Sequence, residues 1–125
     1  MTPPHRTLAL FNYDWDATGY DRAASALGTA IDSAGFDLFS FPSNARLIWF
    51  NAERFAQRLA TQARRKGWRA VVSNHEQFGA LTAALLAARL GWPGTPVKAI
   101  MACQHKLYAR QVLAHVAAIV NALAI

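Results

Sequence analysis

The chain has 125 residues, of which 54% are hydrophobic and 16% charged, with four Trp, three Tyr and seven Phe. That size and apolar content describe one domain spanning residues 1–125 with a core of its own, and they exclude a disordered segment. A single cysteine, Cys103, excludes an internal disulfide framework, and the absence of a secretory pattern around Met1 to Arg6 points to the cytoplasm. Thirteen Lys and Arg face seven Asp and Glu, a net charge of +6 that suits phosphates or acidic surfaces.

Residues 7–13 (TLALFNY) form an apolar run without helical period, the pattern of a buried strand. Residues 14–19 then read as a polar loop. Ala23, Ala24, Leu27, Ala30, Ile31 and Ala34 share one face of a helix expected over 21–34, with Gly35 as its stop. Residues 36–41 (FDLFSF) read as a second strand, and 46–50 (RLIWF) as a strand or a buried loop. A helix follows from 51 or 52 to about 66, with Phe55, Leu59, Gln62 and Ala63 inward and Gly67 at its end. Residues 68–73 (WRAVVS) carry the clearest strand signal, and 76–90 an Ala- and Leu-rich helix stopped by Gly91. Thr95 and Pro96 begin a last helical region, with a break near Gln104 and His105. The alternation predicts a three-layer α/β/α domain with a mainly parallel sheet of about four strands and a helical C-terminus. Ligands in such sheets sit beyond the carboxyl ends of the strands, which here are residues 12–16, 40–44 and 74–76.

Several short motifs fail on inspection. Asp14-Trp15-Asp16-Ala17-Thr18 resembles the D-x-D-x-T phosphotransferase motif of the haloacid dehalogenase class, but that chemistry needs a distal acidic pair to help hold Mg2+, and no carboxylate follows Glu76. The same stretch echoes an EF-hand loop whose twelfth position, Ser25, lacks the required Glu. His75 and Glu76 open a zincin-like H-E-x-x-H whose second His would be Gly79. Cys103 and His105 have no companion ligands at zinc spacing, so Cys103 reads as a small buried apolar residue. Arg54, Arg58 and Arg65 make a basic face on one helix without any nucleic-acid motif beside it, so it reads as a solvated face and nucleic acid is not the expected partner. No Gly-rich dinucleotide or P-loop signature is present. The apolar tract 112–125 is interrupted by His115 and Asn121 and falls short of the ~20 residues of a membrane span.

One stretch carries a family resemblance. Residues 71–113 contain Val71-Val72-Ser73, Glu76, Ala83-Ala84, Leu90-Gly91-Trp92-Pro93-Gly94, Lys106, Arg110 and Leu113. In order and spacing these resemble the end of the N-terminal, pre-ATP-grasp domain of ATP-grasp ligases. The resemblance implies a Rossmann-like topology and a role on the substrate side of an ATP-dependent carboxylate–amine ligase. It further implies that Lys106 and Arg110 face ATP phosphates and that Glu76 lies on the substrate side, where the strand-end rule also puts Asn12, Asp14, Asp16, Asn74 and His75. ATP and Mg2+ would be cofactors of the full-length enzyme, whose central and C-terminal domains supply the second phosphate lysine, the adenine pocket and the metal ligands. The chain alone would then hold no cofactor and catalyse nothing. The family's usual Asp before the lysine is replaced by His105. The apolar C-terminal helix would meet the missing core domains or a second copy of the chain. Two other expectations compete: a non-catalytic Rossmann-like binding or dimerisation module, and a phosphate-processing enzyme using Asp14 and Asp16.

Overall fold

The computed structural model describes residues 5–124. The expectations placed on Met1 to Pro4 and on Ile125 lie outside the described residues. The elements are β1 (Arg6–Leu10), α1 (Asp14–Leu27), β2 (Ala30–Ala34), a 3-10 segment (Ser43–Trp49), α2 (Ala52–Lys66), β3 (Trp68–Val72), α3 (Phe78–Leu90), α4 (Val97–Gln104) and α5 (Lys106–Leu123). The three strands form a parallel sheet in the order β2-β1-β3. The fold is α/β, as the alternation predicts, and the described residues hold three strands where about four were expected.

β1 is the central strand, and Leu8, Ala9 and Leu10 are fully buried on both of its faces, as a parallel strand between helices requires. Leu8 and Leu10 join Ala56, Leu59 and Ala63 of α2, Trp68 of β3 and Leu86 of α3 in one core. α2 and α3 pack on each other, α3 also against β1 and β3 and α2 against β3, while α1 packs against β2. Leu59 and Ala63 are thus inward on α2 as expected, joined by Ala56, and Gly67 ends that helix in the left-handed region.

The first helix and second strand differ from the sequence reading. α1 starts at Asp14, so residues 14–19 are helix, not loop. The Asp16 carboxylate accepts the Tyr13 backbone N–H at 2.9 Å, and both Asp14 and Asp16 sit in the first turn where the helix dipole favours negative charge. The helix stops at Leu27 because Gly28, at φ 61°, takes the left-handed cap, and Thr29 N–H returns to the Ala24 carbonyl at 3.0 Å. Ala30, Ile31 and Ala34 therefore belong to β2. Asp32 holds that edge strand to the sheet. Its carboxylate accepts Arg6 Nε–H at 3.0 Å and the indole N–H of buried Trp68 at 2.7 Å, with a second contact from the Arg6 guanidinium. These bonds, above all the one from Arg6, keep the Asp32 carboxyl below its ordinary range against the opposing effect of burial.

Residues 36–41 are not a strand. Asp37 turns the chain there, its carboxylate accepting the N–H groups of Phe39 at 2.8 Å and Ser40 at 3.1 Å. The apolar signal of this stretch and of 46–50 comes instead from rings that close the carboxyl end of the sheet. Phe11 meets Phe36 at 5.4 Å and Phe50 at 5.6 Å, both edge to face, and Phe55 at 5.7 Å. Residues 46–50 fall mostly in the 3-10 segment. α3 begins at Phe78 rather than at Glu76, and Pro96, not Thr95, occupies the cap position of α4. The break at His105 falls where it was expected. Cys103 is exposed, contrary to its reading as a buried residue, because α4 buries no side chain.

Candidate functional site

The chain leaves β1 toward β2 on one side and reaches β3 on the other, so the loops after β1 and β3 meet at a reversal of strand order. A crevice opens at such a point in parallel α/β sheets. Here it is built from residues 11–15 after β1, 33–40 after β2 and 73–78 after β3.

Phe11 sets its geometry. The residue is buried yet left-handed, with φ 55°, which is uncommon for a bulky side chain and turns the chain sharply out of the sheet. Its N–H still bonds the Ala34 carbonyl at 2.9 Å. Gly35 passes so close that a β-carbon there would stand 2.8 Å from the Phe11 ring. The turn aims Asn12 across the sheet, where its amide donates to Ser33 Oγ at 2.9 Å, and Asn12 Oδ1 is buried without a protein partner.

Beyond Asn12 lies a hollow of about 210 Å³ lined by Tyr13, Asp14, Trp15, Asp37 and Phe39. Tyr13 stacks on Trp15 at 4.6 Å and tilts against Phe39 at 5.1 Å. Burial, followed by the negative charge of Asp16, Asp37 and Glu76, pushes the Tyr13 phenol above its ordinary pKa. Backbone N–H bonds, first from Phe39, hold Asp37 ionised below the usual carboxylate range. Aromatic faces beside carboxylates suit a cation.

The third wall is the β3–α3 loop. Ser73 Oγ donates to the Leu10 carbonyl at 2.9 Å and accepts His75 N–H at 3.2 Å. The His75 ring stacks on Phe78, and its Nδ1 accepts the Gly79 N–H at 3.2 Å, capping α3. This role needs the neutral ring with its proton on Nε2. Burial lowers the His75 pKa and Glu76 partly restores it. With the folded pKa below the unfolded one, the unfolded chain binds more protons in between, so this contribution weakens as pH falls below about 6.5. Urea titrations at pH 7.5 and pH 5 are expected to show a loss of stability on acidification that is smaller in His75→Asn, whose amide oxygen can accept the same bond without titrating; equal losses would refute this role for His75.

The residues named from sequence divide accordingly. Asn12, Asp14 and His75 come together around the crevice. Asp16 is engaged in starting α1, where one of its carboxylate oxygens accepts the Tyr13 N–H. Asn74 and Glu76 are exposed, and the Glu76 and Gln77 carbonyls accept the Gln104 side-chain amide at 3.1 and 3.0 Å. That bond fastens the end of α4 to the crevice loop, two residues before Lys106. His105 starts α5 by accepting the Tyr108 N–H on Nδ1 at 3.2 Å, so it performs the capping task open to an Asp at that place. Lys106 and Arg110 are one turn apart and exposed, and neither has a carboxylate partner among the described residues. Tyr13, Trp15, Asp37 and Phe39 were not singled out from sequence; the aromatic pair flanking Asp14 was the available signal.

Two cations one turn apart on an exposed helix face can approach one anionic group together. Among the described residues no three His, Cys, Asp or Glu side chains converge as a metal cluster. Also among them, no helix is long and apolar enough to cross a membrane. Compared with protein-family models, curated proteins and solved structures, the chain matches none.

Proposed function

We propose that this chain is the substrate-side domain of an ATP-dependent carboxylate–amine ligase of the ATP-grasp type, with a Rossmann-like, three-layer arrangement, and that it works against a core carried on further polypeptide. The observation that carries the reading is α5. This helix carries Lys106 and Arg110 and begins two residues after Gln104, whose side chain bonds the crevice loop, yet it buries none of its side chains. Val112, Val116, Ile119 and Leu123 form an exposed apolar stripe, and among the described residues α4 is the only element with which α5 makes substantial contact. Such a face on a folded domain calls for a partner surface. In this reading the core covers the stripe and encloses the ATP whose phosphates Lys106 and Arg110 approach. ATP would activate the carboxylate as an acyl phosphate. The chain's own part is to orient substrate: the hollow of Tyr13, Trp15, Phe39, Asp14 and Asp37 suits the cationic form of an amine.

Two exposed cations without an adenine pocket or a metal cluster give little affinity, so calorimetric titration of this chain with Mg·ATP should show a Kd no tighter than roughly millimolar. Micromolar affinity lost in Lys106→Ala would mean that α5 already belongs to a complete nucleotide site, and would overturn the division of labour. Reading the coding sequence beyond Ile125 is the complementary test: an in-frame continuation with a second lysine and a Glu-rich metal motif supports the reading. The spacing of Ala109, Val112, Val116, Ile119 and Leu123, alternately three and four residues, also fits a paired helix, the basis for the second reading of a non-catalytic dimerisation module. Sedimentation distinguishes the two, since that reading requires a dimer sensitive to Val116→Asp.

A further inference from the structure

A second concave surface shares Gly35 and Phe36 with the crevice wall but none of its polar residues, and its chemistry does not depend on the ligase reading. It is a cleft of about 480 Å³ between the 3-10 segment and the start of α2. Arg46 enters it from the 3-10 segment, and Arg54 and Arg58 from successive turns of α2. The third arginine of the face read from sequence, Arg65, does not line it. Phe36, Phe50 and Phe55 provide the apolar lining, and Trp49 stands beside them 87% exposed.

Three features together distinguish this cleft from an ordinary solvated helix face. No carboxylate lines it, and the two ion pairs among the described residues, Arg6 with Asp32 and Arg89 with Glu53, use none of its arginines. Two of the guanidinium groups stand over rings, although both residues are exposed: Arg46 is 5.9 Å from the centroid of Phe36, and Arg58 5.2 Å from that of Phe55. Stacking of this kind leaves the guanidinium N–H groups free to donate to an anion. Finally, like charges one turn apart on a helix repel each other, and Arg54 lies in the first turn of α2, near the positive end of its dipole, where the Glu53 carboxylate is taken up by Arg89. Asn51 is already occupied in capping Arg54 N–H at 2.9 Å and contributes shape rather than charge.

We infer that the Arg46–Arg54–Arg58 cleft is a binding site for a small phosphorylated molecule that carries a planar ring. The phosphate takes donors from the arginines that line the cleft, for which a dianion is the best match in charge. The ring lies against Trp49, whose exposed indole offers a large flat surface. The cleft volume falls within the range of small-molecule sites. The remaining basic residues of α2, Arg64, Arg65 and Lys66, lie about two turns or more further along the helix and are not needed for this ligand.

The probes that separate the two parts of the ligand are 1-naphthyl phosphate, inorganic phosphate and 1-naphthol, titrated into the intact chain by calorimetry at low and at moderate salt. 1-Naphthyl phosphate is expected to bind about tenfold or more tightly than either fragment, and Arg54→Gln combined with Arg58→Gln is expected to weaken it by about tenfold to a hundredfold, the range for lost hydrogen bonds to a charged group. Both positions are exposed on a helix and Gln is a good helix former, so circular dichroism should confirm an unchanged fold. Trp49→Ala is expected to bring naphthyl phosphate down to the affinity of phosphate. Absence of binding at millimolar concentration, or binding indifferent to the two Arg→Gln changes, overturns the inference. So does an outcome in which a 12-nucleotide single-stranded RNA binds more tightly than naphthyl phosphate and loses affinity in Arg64→Gln with Arg65→Gln, because that marks α2 as a nucleic-acid face. Lys106→Ala with Arg110→Ala should leave naphthyl phosphate binding unchanged; if this variant alone abolishes it, the ligand sits at α5, which refutes the cleft and leaves the ligase reading standing.

Discussion

Replacing Phe11 with alanine is expected to destabilise the fold by about 3–5 kcal/mol, the usual range for deleting a buried aromatic ring. The residue is 2% exposed and contacts Phe36, Phe50 and Phe55, so truncation leaves a void that these rings cannot all fill at once. Against a total stability of about 5–15 kcal/mol for a domain, that is a large fraction. The comparison with Phe11→Gly is more informative. Phe11 sits at φ 55°, where a β-carbon costs about 1–2 kcal/mol and glycine costs little. Glycine is ordinarily the worse replacement because it gives the unfolded chain more freedom. Here Phe11→Gly should equal or exceed Phe11→Ala in stability by urea denaturation. An alanine variant more stable than the glycine variant by about 1 kcal/mol would show that the left-handed turn is not maintained in the folded chain.

This turn was invisible in the sequence for a physical reason. Phe11 reads as one more apolar residue of a strand, and nothing local announces a left-handed conformation imposed by packing on Gly35 and three rings. The same competition displaced the second strand. Residues 36–41 have the composition of a strand, but their phenylalanines belong to a ring cluster above the sheet, and Asp37 makes the turn that puts them there. The real strand, 30–34, carries Asp32 at its centre and looks helical by spacing. It is a strand because Arg6 and Trp68, on β1 and β3, complete the charge and hydrogen bonds of that carboxylate. Such a partnership is tertiary, and no window of sequence contains it. By contrast α2, β3, α3 and the break at His105 were legible because glycine stops, a proline and strong periodicity act locally. Of the crevice residues, Asn12, Asp14 and His75 were found by the general rule about strand ends. Asp37 and Phe39 were lost along with the strand misassigned to their segment, and Arg46 could not be linked to Arg54 and Arg58 until the 3-10 segment folded back onto α2.

Gly79→Ala tests the crevice from its other wall, and here two effects of opposite sign must be weighed. In a helix, alanine is favoured over glycine by about 0.5–1 kcal/mol, which predicts stabilisation. The surroundings predict the reverse. Gly79 is buried where α3 passes under the β3–α3 loop, and a β-carbon would stand 2.1 Å from Ser73 Oγ and 2.8 Å from His75 Cβ. Ser73 cannot turn away without giving up the Leu10 carbonyl and the His75 N–H, bonds worth about 1 kcal/mol each, and the overpacking itself costs about 1–3 kcal/mol. The sum exceeds the helix preference, so Gly79→Ala should destabilise by about 2–4 kcal/mol in urea denaturation. A second substitution identifies the cause. Ser73→Ala removes the atom in closest conflict, so Ser73→Ala with Gly79→Ala should cost clearly less than the two single changes added together, with a coupling within the ~0.5–3 kcal/mol typical of contacting residues. Strict additivity would mean that the loop moves away from α3 without resistance. In that case Ser73 and His75 are not held in place by the helix, and the crevice lacks a fixed third wall.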